Sequence, residues 1–254
     1  MMARRSILVI GTAAAVLSLG GLAVALEAPQ GYGATVDWQR VLGPPPAAGS
    51  AADKADRAAF ATTGAGIDSA QWKAAQEQVF PSSPEVRAQI SCALGRSLSD
   101  KGTPVTLRLL SRENADLKVA VDAGKAHFRR NRPYVGAPDS RTCDVRTLGA
   151  IGGATGGALS YSWPSGHAAQ GRLTALTLSA AEPARRPELM RWGDGLGANR
   201  LVCRVHWASD IAAGRRLADA LFPKLEASPA WRADLAAAKA ELAAAPRPVN
   251  CPGT

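Results

Sequence analysis

From Ser50 onward, stretches rich in Ala, Leu, Arg and Glu alternate with short breaks marked by Pro, Gly, Ser or Asn. Apolar positions in those stretches suit a helical period, and the residue types are good helix formers. The pattern predicts helices over Ser50 to about Phe60, Ser69 to Val79, Pro84 to Leu98, Pro104 to Asn131, Pro164 to Ala181, Val205 to Phe222 and Pro229 to Ala244. Several open on Pro or beside Ser, Asp or Asn, and Ser50 with Asp53 reads as a capping box. No period-two run competes with them, so the fold class is all-α, a single helical domain over residues 50–254. Residues 26–49 carry turn formers and the run Pro44-Pro45-Pro46, and read as an N-terminal arm or linker. Residues 134–163 and 182–199 fall between the main helical stretches and read as loops that line a pocket mouth.

The first 25 residues follow a different pattern. Arg4 and Arg5 precede an uncharged apolar run from Ser6 to Leu26, with small residues at Ala23 and Ala25. This is the anatomy of a signal peptide cut after Ala25, and its rival is an uncleaved membrane anchor. No comparable apolar window follows, so the mature chain is expected to have no stable membrane span and to be periplasmic or secreted. The four cysteines are widely spaced, with no C-x-x-C pair. In an exported chain they predict two disulfides; three connectivities are open, with a weak preference for Cys92–Cys143 and Cys203–Cys251.

The chain holds 30 Lys and Arg against 21 Asp and Glu, a net charge of +9. Loss of Arg4 and Arg5 with the signal leaves 28 against 21, or +7, so anionic partners are expected either way. At 5% aromatic residues and without a recognisable nucleic-acid motif, nucleic acid is not the expected partner.

Three clusters narrow the anion to phosphate. Lys125 and Arg132 lie seven residues apart, two turns along the predicted helix, with Pro133 ending it; two cations would stand in line on one face. The plain alternative is a solvated basic face. Trp163-Pro164-Ser165-Gly166-His167 opens a helix whose free N–H groups favour an anion, with Gly166 allowing close approach, Ser165 donating a hydroxyl and His167 placed to give up a proton. The alternative is an ordinary helix cap. In the third cluster Arg200 offers a planar fork for phosphoryl oxygens, while His206 and Asp210, four apart, let the carboxylate hold one imidazole nitrogen and leave the other to attack. A purely stabilising His–Asp pair is the alternative. His127, two residues past Lys125, points away from the Lys125 face and reads as structural or exposed.

The order K-x6-R-P, P-S-G-H, R-x5-H-x3-D resembles the three-part signature of the phosphatidic-acid phosphatase type 2 superfamily, in particular the bacterial class A nonspecific acid phosphatases. The stretches Gly49 to Phe60 and Val205 to Leu217 resemble the same group. The resemblance implies a helical domain in which His206 attacks phosphorus to form a phosphohistidine, His167 protonates the leaving alcohol, and Asp210 activates His206. Lys125, Arg132, Ser165, Gly166 and Arg200 would bind the phosphoryl oxygens. One departure is Asn199, where the family commonly has Ser before the arginine; an amide can still donate to an anion.

The implied activity is hydrolysis of small soluble phosphate monoesters, with phosphotransfer to alcohols as a side activity and no cofactor or metal. A vanadium-dependent haloperoxidase using the same pocket, with His206 linked to vanadate, and a non-enzymatic phosphate-binding module are the alternatives. A membrane lipid phosphatase would need several apolar spans that the chain lacks. The patterns leave a homodimer open and do not name the natural substrate.

Overall fold

The computed structural model describes residues 29–144 and 161–251; the expected signal peptide lies outside the described residues. Nine α-helices and no strand occur among these residues: α1 (Trp38–Leu42), α2 (Ala51–Thr62), α3 (Ala70–Glu77), α4 (Pro84–Leu94), α5 (Pro104–Phe128), α6 (Gly166–Ala181), α7 (Arg186–Val202), α8 (Ala208–Ala227) and α9 (Pro229–Ala244). None is long and apolar enough to cross a membrane.

Helix starts lie within three residues of the predicted ones. Ser50, Ser69, Ser83 and Ser228 each accept a hydrogen bond from a first-turn N–H. At α2 the Asp53 carboxylate reaches back to the Gly49 N–H, one residue earlier than a capping box requires. Helix ends differ more. α4 stops at Leu94 because Gly95 turns left-handed (φ 73°). α5 stops at Phe128 because Arg129 does the same at φ 47°, so Arg132 is not on the helix and shares no helical face with Lys125. α8 runs through Pro223 to Ala227, past the expected end at Phe222, with Leu221 and Leu225 both buried.

α6 is the centre of the molecule. Seven consecutive residues, Leu173 to Ser179, are buried, as expected of a helix enclosed on all sides by α5, α7, α8 and α9. α7 replaces the loop predicted over 182–199, although Gly193, Gly195 and Gly197 depress helix propensity. Tertiary packing overrides that propensity. A Cβ on Gly193 would stand 2.4 Å from the Gly171 carbonyl oxygen, and one on Gly171 would stand 2.6 Å from that of Gly193, so only glycine lets α6 and α7 cross this closely.

The arm is strapped onto the bundle. Asp116 on α5 accepts the N–H groups of Tyr32, Gly33 and Ala34, and the Tyr32 hydroxyl donates to Asp234 on α9. The disulfides are Cys92–Cys251 and Cys143–Cys203, which corrects the preferred pairing. Between Cys92 and Cys143 the 25-residue α5 carries the chain roughly 37 Å along its axis, so proximity in sequence does not become proximity in space.

Candidate active site

The three motifs meet where the C-terminal end of α5, the N-terminus of α6, the C-terminal turn of α7 and the N-terminus of α8 converge. His206 lies just ahead of α8 and is almost completely buried. Asp210 occupies the third position of that helix, and its Oδ2 accepts from the Trp207 N–H at 2.8 Å, satisfying one of the open donors of the helix start. The same oxygen lies 3.2 Å from His206 Nδ1. The four-residue spacing therefore brings the pair together through the cap, with Asp210 in the helix and His206 outside it.

The neighbours of His206 define its tautomer. Arg132 Nη1 is 3.3 Å from Nε2 and can only donate, so Nε2 carries the lone pair and Nδ1 the proton that faces Asp210. Arg132 also donates to the Val205 carbonyl at 2.8 Å, which fixes its reach from the loop after α5. Burial holds the His206 pKa well below the ordinary imidazole value, and the charges of Arg132, Lys125, Arg200 and His167 push the same way. The ring is thus neutral in a positive field. Asp210 is pushed up by burial and drawn back by Arg130 and the Trp207 N–H. Its Oδ1 faces the Arg130 guanidinium and its Oδ2 accepts from two donors, a geometry that suits the carboxylate.

Lys125, in the last turn of α5, donates to the Tyr161 carbonyl at 2.6 Å. Its pKa is lowered to about 7, first by burial and then by Arg132. Ser165 caps α6, accepting from the Ala168 N–H at 3.4 Å, while Pro164 precedes the helix behind a cis peptide bond and is not its first residue. Ser165 N–H donates to the Asp210 carbonyl at 3.0 Å, so the second and third motifs are joined directly. Gly214 makes this approach possible: a Cβ there would stand 2.3 Å from the Ser165 carbonyl oxygen. Gly166 is the first residue of α6, and His167 places Nε2 3.1 Å from the Val79 carbonyl, which can only accept. Arg200, in the last turn of α7, forms a buried ion pair with Asp144. His127 is exposed and packs edge-on against Trp38 and Phe128, outside this cluster.

Four residues near the site escaped the motif reading. Arg130 and Asp56 contact Asp210 or its neighbour Ser209, Asp144 holds Arg200, and Val79 holds His167. The helix that carries Asp56 is predicted by the cap at Ser50, and only the resemblance of Gly49 to Phe60 links it to the family; neither singles out Asp56. Asn199, at the departure from the family pattern, donates to Gln78 Oε1 at 2.8 Å and so ties α7 to the residue after α3.

A family model for the PAP2 superfamily matches residues 117–222, which contain all three motifs. The non-specific acid phosphatase of Salmonella typhimurium is 34% identical over 212 residues, covering 82% of this chain and 81% of that protein. That of Salmonella typhi is 35% identical over 215 residues, with coverage of 82% and 81%. The acid phosphatase of Zymomonas mobilis is 28% identical over 201 residues, 79% of this chain and 74% of that protein.

Proposed function

The chain belongs to the PAP2 superfamily, and from that premise we propose that it is an acid phosphatase that cleaves small phosphate monoesters through a phosphohistidine on His206. One observation carries the reading: His206 is buried, with Nδ1 turned to Asp210 and Nε2 beside the Arg132 guanidinium, and burial among cations holds its pKa low. A nucleophilic imidazole needs that orientation, and an incoming phosphoryl group needs that cation.

In the proposed reaction Arg132, Lys125 and Arg200 neutralise the phosphoryl oxygens, with Ser165 O–H and the N–H groups of Gly166 and His167 completing the cradle. Accepting from Ala168 leaves Ser165 its hydroxyl proton to donate. His206 Nε2 forms the bond to phosphorus as the ester P–O bond breaks, and Asp210 stabilises the imidazolium character that develops. His167 gives its proton to the departing alkoxide oxygen. Because its Nε2–H donates to the Val79 carbonyl, the proton transferred is the one on Nδ1. Water then attacks phosphorus, His167 takes back a proton, the N–P bond breaks and phosphate leaves. An alcohol in place of water gives a new phosphate ester, the proposed transfer activity. The scheme requires His206 neutral and His167 protonated together, which places the working range at acidic pH.

Export through a cleaved signal peptide belongs to the same reading. It is supported by the N-terminal pattern and by the pairing of all four cysteines in disulfides, which suits an oxidising compartment. The test of the mechanism is p-nitrophenyl phosphate hydrolysis between pH 5 and 6 by the wild type and by His206→Ala, with an alkaline quench to trap phosphoenzyme. Turnover lost by roughly 10³-fold or more, together with loss of an acid-labile, base-stable phosphoprotein, is the expected result. Normal turnover by His206→Ala sinks the assignment.

A further inference from the structure

Arg130 lies between the two cations of the first motif in the sequence. Its Nη1 donates to Asp210 Oδ1 at 2.6 Å and to Ser209 Oγ at 2.7 Å, while Nη2 donates to Asp56 Oδ2 at 2.7 Å. Asp56, on α2 and almost fully buried, also accepts the Ser209 N–H at 2.9 Å and the Ser209 hydroxyl. The Arg130 carbonyl accepts from Ser162 N at 2.9 Å, three residues before Ser165. Its guanidinium lies 5.6 Å from the ring of Trp163, which leads into Pro164-Ser165, and 5.3 Å from the ring of Trp207, which follows His206. One side chain thus touches the segments that carry all three motifs.

We infer that Asp56 and Arg130 are positioning residues for the nucleophile, a chain Asp56–Arg130–Asp210–His206 in which the guanidinium orients the Asp210 carboxylate and thereby the imidazole. The inference rests on the role proposed for His206. Arg130 faces neither His206 nor the phosphoryl site directly; its contacts are to the two aspartates, Ser209 and the tryptophan faces. A planar guanidinium can bridge two carboxylates at once with fixed angles between its donors, and an ammonium cannot. Asp56 neutralises the second half of that charge and stops Arg130 from turning. Without Asp56 the guanidinium loses one of its two carboxylate anchors and Ser209 loses the acceptor of its N–H.

The two variants that test this have opposite electrostatic consequences. Arg130→Met removes a cation from beside Asp210, so the His206–Asp210 pair holds a proton more tightly. Asp56→Asn keeps the shape but removes an anion, leaving Asp210 as the only carboxylate facing Arg130, so the pair holds a proton less tightly. The other charged groups acting on His206, namely Lys125 from α5, Arg132 from the following loop, Arg200 from α7 and His167 from α6, are the same in both variants. The acid limb of the kcat/KM profile for p-nitrophenyl phosphate should therefore move to higher pH in Arg130→Met and to lower pH in Asp56→Asn. At the optimum, kcat should fall roughly 10- to 100-fold in Arg130→Met, the scale of a small misplacement of a reacting group, with KM changed less than about threefold. Arg130→Lys should recover part of that loss.

His206→Ala in the same assay separates the two levels of the argument. If His206→Ala is inactive while Arg130→Met and Asp56→Asn keep wild-type kcat and an unmoved acid limb, the positioning role is wrong and the nucleophile stands. Limbs that move in the same direction, or a rise in KM alone, also overturn it. An active His206→Ala removes the premise itself. Thermal melts monitored by circular dichroism identify a variant that fails to fold, and the isosteric Asp56→Asn carries the test if Arg130→Met does.

Discussion

Arg200 of α7 and Asp144 of the loop after the first motif form an ion pair in which both side chains are about 2% exposed. Asp144 adjoins Cys143, whose disulfide to Cys203 pins that loop three residues before His206. An acid thus holds the guanidinium assigned to the phosphoryl oxygens. Losing one member of such a buried pair costs about 3–5 kcal/mol, because the remaining charge is left in a low dielectric. Asp144→Asn should therefore melt well below the wild type in phosphate-free buffer. Phosphate or orthovanadate should restore most of the difference, since the anion replaces the lost carboxylate beside Arg200. A melting temperature that is lowered equally with and without the anion would place Arg200 outside the phosphate site.

Lys125 has its pKa lowered to about 7 by burial and by Arg132. It is cationic below that value and neutral above it, so the site loses one positive charge as pH rises through 7. Inhibition by inorganic phosphate should weaken from pH 6 to pH 8 in the wild type. Lys125→Arg keeps its charge at all these values and should show a flatter dependence. The check is the competitive inhibition constant of phosphate at fixed ionic strength across that range.

Glu113 on α5 is enclosed between α6 and α9, where Thr177 Oγ1 and Trp231 Nε1 both donate to its Oε2. Burial raises its pKa to about 8. The unfolded chain releases this proton near 4.5 and the folded chain near 8, so between those values the folded state binds more protons. This group's contribution to stability is fully present below pH 4.5 and declines as pH rises towards 8, by on the order of a few kcal/mol. Glu113→Gln has no such proton to lose. Urea midpoints at pH 5 and pH 8 should fall with pH in the wild type and change much less in the variant, and equal slopes would count against a neutral Glu113.

Gly214 on α8 faces the Ser165 carbonyl, where an added Cβ would stand at 2.3 Å. Gly214→Ala must push α8 away from the start of α6, a strain of about 1–3 kcal/mol. The displaced segments carry Ser165 and Asp210, which are joined by a backbone hydrogen bond. Both stability and kcat should therefore fall, whereas Gly195→Ala, which meets no atom within 4 Å, should leave kcat unchanged. Denaturation and steady-state kinetics on the two variants make the comparison.

The helical class and most helix starts were legible along the chain because caps and helix propensity are local: Ser50, Ser69, Ser83 and Ser228 act within three residues of themselves. His206 and Asp210 were legible as a pair for the same reason, since a helix start fixes their separation. Arg132 lies beside His206 and is not the helical neighbour of Lys125 that the seven-residue spacing predicts, because a left-handed Arg129 ends α5 where composition alone favours continuation. α7 could not be read from propensity, as its glycines answer to the backbone of α6. The disulfide pairing, the Asp144–Arg200 pair and the Asp56–Arg130–Asp210 chain join residues 56 to 159 positions apart. Such contacts depend on which helices meet, and that is decided by the packing of whole faces around α6. Residue chemistry and local spacing determined which groups could act; the crossing of α5, α6, α7 and α8 decided which of them share one site.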